Sequence, residues 1–427
     1  MNLKKIKGLS VNVFFPIYMM IYFVLMFGVR ITNFIGIPLV ILISLVAISY
    51  WIVQIKYPKN RNFGKRIGAA WAFYCIFSIY LYSVNALPLS CYIDGLRNFL
   101  FPLLFFFIGS NEDITDDTFY HYFLLSCLFF FGFGLYLYFY TPSYYLDFLI
   151  KSKEETWYLD SSYINESNVM QYTRFSSFMS TSYVTSALSV SMMACAYGYI
   201  YNRKYHISKN LLYVIVILGL VGAILSQQRI AMFCSVSLFI FYIFYGVKRN
   251  DRTSLYLVLG VLLLYSVGVG FSFLDERVSI ITEMLTGRME NMSFSGAMSE
   301  RTGQYSRAYS EILSYLITGK GLGAGGHSAS LAGSVGIHDG EYLHLLLEFG
   351  LMGAVLFIPF MIRTIYRSIK NFKYLSIETC IVVYILLSGI GENVLSQSYF
   401  IGSIFWYCVG RVWSENYLKQ RINESCK

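Results

Sequence analysis

The chain has 427 residues, of which 56% are hydrophobic and only 13% are charged, and its formal net charge is +9. Soluble domains carry about 25% charged residues, so this composition excludes a large soluble core and predicts a polytopic membrane protein. The basic residues lie in short loops between apolar runs, a pattern that sets orientation in a membrane and does not indicate a nucleic-acid partner.

The apolar runs predict an all-α integral membrane protein with about twelve transmembrane helices in a single transmembrane domain, residues 1–427. A span needs roughly 20 residues, and the fourth and eleventh runs are short. The predicted spans are 11–29, 32–53, 67–85, 96–110, 119–140, 175–201, 211–226, 229–246, 254–273, 341–362, 375–391 and 396–414.

The loop charges predict that both termini are cytoplasmic. With the N-terminus inside, most of the 33 Lys and Arg residues fall on the inner side, although the inner loop 111–117 contains none. The same topology creates two long outer loops, at 141–174 and at 274–340. Only one cysteine, Cys91, falls in an outer loop, so we expect no disulfide between outer loops.

The outer loops have distinct compositions. The loop 141–174 contains Trp157 and several tyrosines, which suit either an interfacial aromatic belt or a surface that stacks on sugar rings. In the loop 274–340, apolar side chains recur at helical spacing between Arg301 and Ile317. This pattern predicts an amphipathic helix that lies against the outer surface of the membrane domain.

Four arginines are predicted at the outer face. Arg174 opens one helix, Arg229 lies in a gap of a few residues between two others, and Arg301 heads the loop helix. Arginine suits bidentate phosphate binding, but arginines at membrane ends also extend to lipid headgroups. We interpret Arg97 as such an anchor and the other three as candidate anion ligands.

A glycine-rich segment from Gly319 to Gly353 combines polar, titratable and apolar residues. Gly321, Gly323 and Gly326 match GxGxxG, but no strand precedes them, so the match does not indicate a dinucleotide site. Two interpretations stay open: the glycines bring backbone amides near an anion, or they let the chain turn.

The titratable residues of this segment suggest acid–base chemistry. His338 precedes an apolar helix and shares a face with Glu341 and Glu348, so it is either a general base or a helix-end side chain without function. His327 and His344 are weaker candidates. Glu348, together with Glu392 and Asn393, is costly in an apolar helix and predicts polar partners.

Four stretches resemble the O-antigen polymerase and O-antigen ligase superfamily of bacterial envelope enzymes. That superfamily has an arginine followed by an aromatic residue, a loop helix, a glycine-rich turn, and a histidine before a helix with Glu-x-Gly-x-x-Gly. Here Asp339 stands where Asn or Ser is usual. The stretches are RFSSFMSTSYVTSALS, LSQQRIAM, RTGQYSRAYSEILSYLITGKGLG and HDGEYLHLLLEFGLMG.

The resemblance implies an inverting glycosyltransferase that needs neither metal nor cofactor and uses an undecaprenyl-pyrophosphate-linked glycan. It implies catalytic roles for His338, Arg301 and Arg229, with His338 as base and the arginines, including Arg174, on the pyrophosphate. From their own chemistry we also predict Gly321, Gly323 and Glu348 as substrate-binding residues.

Within the superfamily we favour the polymerase, which joins lipid-linked repeat units. The alternatives are the ligase, which transfers glycan to lipid A–core, and, from another class, a lipid-linked oligosaccharide flippase. The expected partners are lipid-linked donor and acceptor, membrane lipids, a chain-length regulator and a flippase. The expected location is the bacterial inner membrane, with the active site in the large loop facing the periplasm.

Overall fold

The computed structural model is helical throughout the residues it describes, which confirms the all-α prediction. The predicted spans 11–29, 32–53 and 254–273 lie outside the described residues. The described residues are 63–110, 118–149, 174–177, 181–202, 207–248, 306, 308–326, 337, 340–371 and 376–414.

The main helices follow the apolar runs, with ends shifted by several residues. A five-residue π-helix, Leu96–Leu100, joins the second and third of them. In chain order the helices are α1 (Phe63–Val84), α2 (Leu89–Gly95), α3 (Phe101–Gly109), α4 (Thr118–Tyr140), α5 (Ser182–Asn202), α6 (Lys209–Leu225), α7 (Arg229–Lys248), α8 (Glu341–Asn371), α9 (Ile377–Ser388), α10 (Val394–Gln397) and α11 (Tyr399–Trp413).

Among the described residues, three helical stretches are long and apolar enough to cross a membrane. They are Leu89–Gly109, Thr118–Tyr140 and Glu341–Lys370. Shorter apolar helices accompany them, including Lys209–Leu225 and Ile377–Ser388. The chain is therefore built as a multi-pass membrane protein, and the count of twelve spans stays a prediction.

The span predicted at 96–110 begins earlier in the structure, at Leu89. Pro88 precedes its first turn with extended backbone angles, φ −61 and ψ 142, because proline fixes φ and favours helix starts. Cys91 is consequently a buried helical residue, and the prediction that it lies in an outer loop is wrong.

The chain divides into two compact units, residues 1–123 with 300–427 and residues 124–299. In the first unit, α3 packs along α11 at glycines: a Cβ on Gly410 would collide with the carbonyl oxygen of Phe106. The rings of Phe119 and Tyr407 stack at 3.8 Å between centroids, and the Tyr120 hydroxyl donates to buried Glu378 at 2.9 Å. Close backbone approach and aromatic packing hold this bundle together.

In the second unit, α5 packs against α6 and α7. A Cβ on Gly219 would meet the Met193 side chain, so the glycine lets the two helices approach closely. The rings of Tyr197 on α5 and Tyr242 on α7 stack at 3.9 Å between centroids. The helix predicted at 175–201 begins only at Ser182, because Ser177 has a φ of 51° and residues 174–176 are not helical.

Candidate functional site: a broken membrane helix and its glycine-rich loop

Helix α8 is broken at Gly350, which has φ 58° and ψ −166°. This conformation is readily available only to glycine. The span predicted at 341–362 lies within the apolar helix Glu341–Lys370, and it consists of two helical pieces joined at this residue. A break leaves backbone groups without intrahelical partners, which is costly where no water is available.

The loop that precedes α8 supplies the missing partners. At the break the amides of Leu351 and Met352 donate to the carbonyl oxygens of Leu316 and Ile317, at 2.8 and 3.1 Å. In the opposite direction, the loop amides donate to the last carbonyls before the break: Lys320 N to Leu347 O at 2.8 Å and Gly321 N to Glu348 O at 3.2 Å. The loop and the helix therefore exchange backbone hydrogen bonds in both directions.

Tyr74 of α1 and Asn85, the residue after α1, complete this pairing. The Tyr74 hydroxyl lies 2.5 Å from the carbonyl oxygen of Thr318 and 2.9 Å from that of Phe349, so it serves both sides of the junction. Asn85 donates from Nδ2 to the carbonyl oxygen of Lys320 at 2.6 Å. Neither residue was predicted from the sequence, although an asparagine at the end of an apolar run can indicate a polar contact.

The glycines of the loop allow close approach of backbone to backbone. Gly319, Gly321 and Gly323 have φ of 79°, 125° and 82°. A Cβ on Gly319 would collide with the carbonyl oxygen of Glu348, and one on Gly323 with that of Cys91 on α2. Gly321 and Gly323 are buried against the protein, which favours the turning role, and their predicted role in substrate binding stays a prediction.

A buried acid–base pair lies directly behind this loop. His344 Nε2 is 2.9 Å from Glu348 Oε1, and each residue is 1% exposed. The same carboxylate oxygen accepts a hydrogen bond from Gly325 N at 3.1 Å, and a Cβ on Gly325 would collide with the imidazole ring. The Phe99 ring stacks on the imidazole at 5.9 Å between centroids. One oxygen of Glu348 thus has polar partners of the kind that a buried carboxylate requires.

Other polar atoms of this pair have no hydrogen-bond partner in the described part of the chain. They include Glu348 Oε2 and His344 Nδ1. His344 Nε2 lies within ion-pair distance of Glu348 Oε1, but the geometry of this contact is not that of a hydrogen bond. His344 was a weaker candidate from sequence, and its spacing of four residues from Glu348 is a signal that could have identified the pair.

Glu341 and Asn393 fix the start of α8. Glu341 Oε2 accepts from the amides of Leu395 and Ser396 at 2.9 and 3.2 Å, while Glu341 Oε1 has no partner among the described residues. Asn393 donates from Nδ2 to the carbonyl oxygen of Ile337. The predicted polar residues Glu392 and Asn393 are both buried, and Glu341 joins the first turn of α8 to residues 395 and 396.

The turns that carry Arg174 and Arg229 are adjacent within the second unit. Phe175 N donates to Leu225 O at 3.1 Å, and Gln228 Nε2 donates to Ser182 Oγ at 2.9 Å. Arg229 is the first residue of α7, and both arginines are exposed. The exposed position agrees with a ligand role and equally with a headgroup anchor.

Tyr145 supports the turn after Arg174. Its hydroxyl donates to the Ser177 carbonyl oxygen at 3.3 Å, and burial raises the pKa of Tyr145 because the ionised phenolate would lose its hydration. This tyrosine therefore stays neutral and acts as a structural donor. Ser177 Oγ in turn donates to Phe130 O at 2.8 Å, which ties the turn to α4.

Several predicted residues lie outside the described residues. They are His338, Arg301, His327 and Asp339, and their predicted roles stay predictions. Arg97 is described: it pairs with Asp94 at 3.2 Å across one helical turn, a local contact on the surface. Within the described ranges, no group of three His, Cys, Asp or Glu residues could hold a metal ion.

The described helical residues of the loop helix are 306 and 308–314, so it ends at Ser314, three residues before the predicted end at Ile317. Ala308 and Ile312 are buried with Leu347 in one apolar cluster, whereas Tyr309 and Leu313 are exposed. The predicted apolar stripe is therefore divided between a packed face and an open face.

Comparison with known proteins adds no assignment. No family model matches the chain, and no curated protein matches it significantly.

Proposed function

We propose that this chain is a surface polysaccharide polymerase that transfers an undecaprenyl-pyrophosphate-linked glycan to the sugar hydroxyl of another lipid-linked repeat unit. One observation carries the proposal: a glycine-rich loop is built into a broken membrane helix beside the buried pair His344 and Glu348. Intramembrane ionisable residues of this kind mark functional sites. The same segment contains the motifs that resemble the polymerase and ligase superfamily.

The proposed reaction breaks the bond between the anomeric carbon and the pyrophosphate oxygen of the donor. The acceptor hydroxyl oxygen attacks that carbon from the opposite face, and its proton passes to a base, for which we propose His338. The undecaprenyl pyrophosphate leaves with the bond electrons. General-base assistance contributes about 10²–10⁴ in rate.

For the leaving group we propose Arg174, Arg229 and Arg301. Arginine offers a planar, permanently charged fork that matches two phosphate oxygens. Preorganised cations at developing negative charge contribute about 10²–10³ in rate each. The exposed side chain of Arg229 at the first turn of α7 agrees with this role, since a helix start also favours anions.

A lipid-linked oligosaccharide flippase is the second candidate, and a specific observation favours it. Transporters commonly build their sites from discontinuous membrane helices, and α8 is discontinuous at Gly350 beside buried carboxylates. The predicted 67-residue outer loop at 274–340 argues against a flippase, which should place its charges in a cavity within the helices and needs no large outer loop. The O-antigen ligase is the closest alternative within the superfamily.

Purified protein in liposomes with a lipid-linked repeat unit distinguishes the three activities. A polymerase lengthens the lipid-linked glycan. A ligase leaves that glycan unlengthened and transfers it to lipid A–core when this acceptor is added. A flippase moves the lipid-linked unit between leaflets without lengthening it.

A gene deletion provides the matching test in cells. Loss of the polymerase leaves lipid A–core with a single repeat unit. Loss of the ligase removes all repeat units from lipid A–core, and loss of a flippase leaves repeat units on the inner face of the membrane. Either of the last two outcomes contradicts our proposal.

A further inference from the structure

We propose that His344 and Glu348 form a proton-binding site that latches the glycine-rich loop into the break of α8. This site would hold the loop in the same way in a glycosyltransferase and in a flippase. It depends on the position of one carboxylate oxygen, Glu348 Oε1, between the imidazole and the loop amide of Gly325.

Two buried carboxylates lie near this oxygen, and the imidazole supplies positive charge only when it carries a proton. Glu341 lies on the same face of α8, and both carboxylates are almost fully buried. The only basic partner of Glu348 among the described residues is His344, and Glu341 has backbone amides and a hydroxyl as partners. Each uncompensated buried ion costs several kcal/mol, so a proton on the imidazole stabilises the arrangement.

Unpartnered buried atoms point to the same conclusion. Glu348 Oε2, Glu341 Oε1 and both imidazole nitrogens are buried without aligned hydrogen bonds. Buried polar atoms of this kind call for an explanation such as a bound ion, water or proton. A proton is the explanation that the pair itself supplies, because an imidazole 2.9 Å from a carboxylate oxygen forms an ion pair with it when protonated.

The other titratable groups that face the pair leave its charge unchanged. Cys75 of α1 and Cys91 of α2 interact with Glu348 and are buried thiols. Lys320 of the loop places its ammonium 2.6 Å from Glu311, not at Glu348. Glu392, between α9 and α10, is also buried, and as an acid it cannot neutralise the carboxylate of Glu348.

The proton controls the loop through Glu348. With His344 protonated, the ionised carboxylate is neutralised by the imidazolium and can accept from Gly325 N. When the imidazole loses its proton, the buried carboxylate of Glu348 has no cationic partner. The closed position of the loop is then no longer favoured. The latch is therefore closed at low pH and opens as the pH rises.

Hydrogen exchange of the whole protein in lipid nanodiscs tests the latch. The reporter is the amide protection of residues 319–326, with labelling times scaled to the chemical exchange rate at each pH. We expect protection to fall about tenfold or more as the pH rises, because a charge-assisted hydrogen bond is lost. A protection that does not change with pH in the wild-type protein overturns the proposal.

Variants assign the response to the pair. In His344→Gln, position 344 cannot take up a proton, so we expect weak protection that does not change with pH. The matched control is Glu378→Gln, which alters another buried glutamate of the same unit, paired with Tyr120, and should keep the wild-type response. A wild-type response in His344→Gln places the proton elsewhere and overturns the proposal, whereas failure of the polymerase assay leaves this measurement unaffected.

Discussion

Arg229 offers the most direct residue-scale test of the proposed leaving-group site. We expect Arg229→Lys to reduce polymer formation about 10²-fold or more, because lysine keeps the charge but loses the planar fork. The measurement is transfer with purified protein at matched expression. Arg66 on α1 is also exposed, and Arg66→Lys is the matched control that should retain activity. Equal tolerance at both positions would identify Arg229 as a headgroup anchor.

His338 and His344 should separate chemistry from folding. We expect His338→Ala to lose about 10²–10⁴ in rate while its thermal unfolding stays that of the wild type. His344→Ala should instead lower the free energy of unfolding by about 3–5 kcal/mol, because it leaves the buried Glu348 without its partner. Turnover at the wild-type rate in His338→Ala would remove this base from the proposed reaction.

At the scale of elements, the close contacts of the glycine-rich loop make a strong packing prediction. Gly323→Ala should destabilise the protein by about 3 kcal/mol or more, since its φ is positive and the new methyl group meets the Cys91 carbonyl. The measurement is thermal unfolding in lipid. Gly132 of α4 has open space around its Cα, so Gly132→Ala should be neutral or slightly stabilising. Equal stability of the two variants would mean that α2 and the loop are not in contact.

The same elements show what the sequence could and could not predict. Apolar periodicity located α4, α6 and α7 to within a few residues, because burial in an apolar medium dominates those segments. It missed the break in α8, since the partners of the freed backbone groups come from residues 316–321, about thirty positions earlier. Such long-range hydrogen bonds leave no local pattern. Glu348 was found for its cost in an apolar helix, whereas Tyr74 looked like one more aromatic residue of the span.

At the scale of the whole molecule, topology is the prediction that every other one requires. Single cysteines at Ser295 and Asn371, in a background without the native cysteines, should react oppositely with a membrane-impermeant reagent. In intact cells we expect the reagent to label position 295 but not position 371. The loop near position 371 is rich in Lys and Arg, which places it on the cytoplasmic side. Labelling of position 371 but not of position 295 would reverse the orientation and place the large loop inside.

The break in α8 also constrains how the protein is made. Residues 316–321 leave the ribosome before residues 347–352, yet each set supplies hydrogen-bond partners for the other. Backbone groups cannot be left unpaired in hydrocarbon, so α8 can adopt its break only when residues 316–321 are present to pair with it. Because those residues are synthesised first, the partners of the break already exist when α8 enters the membrane.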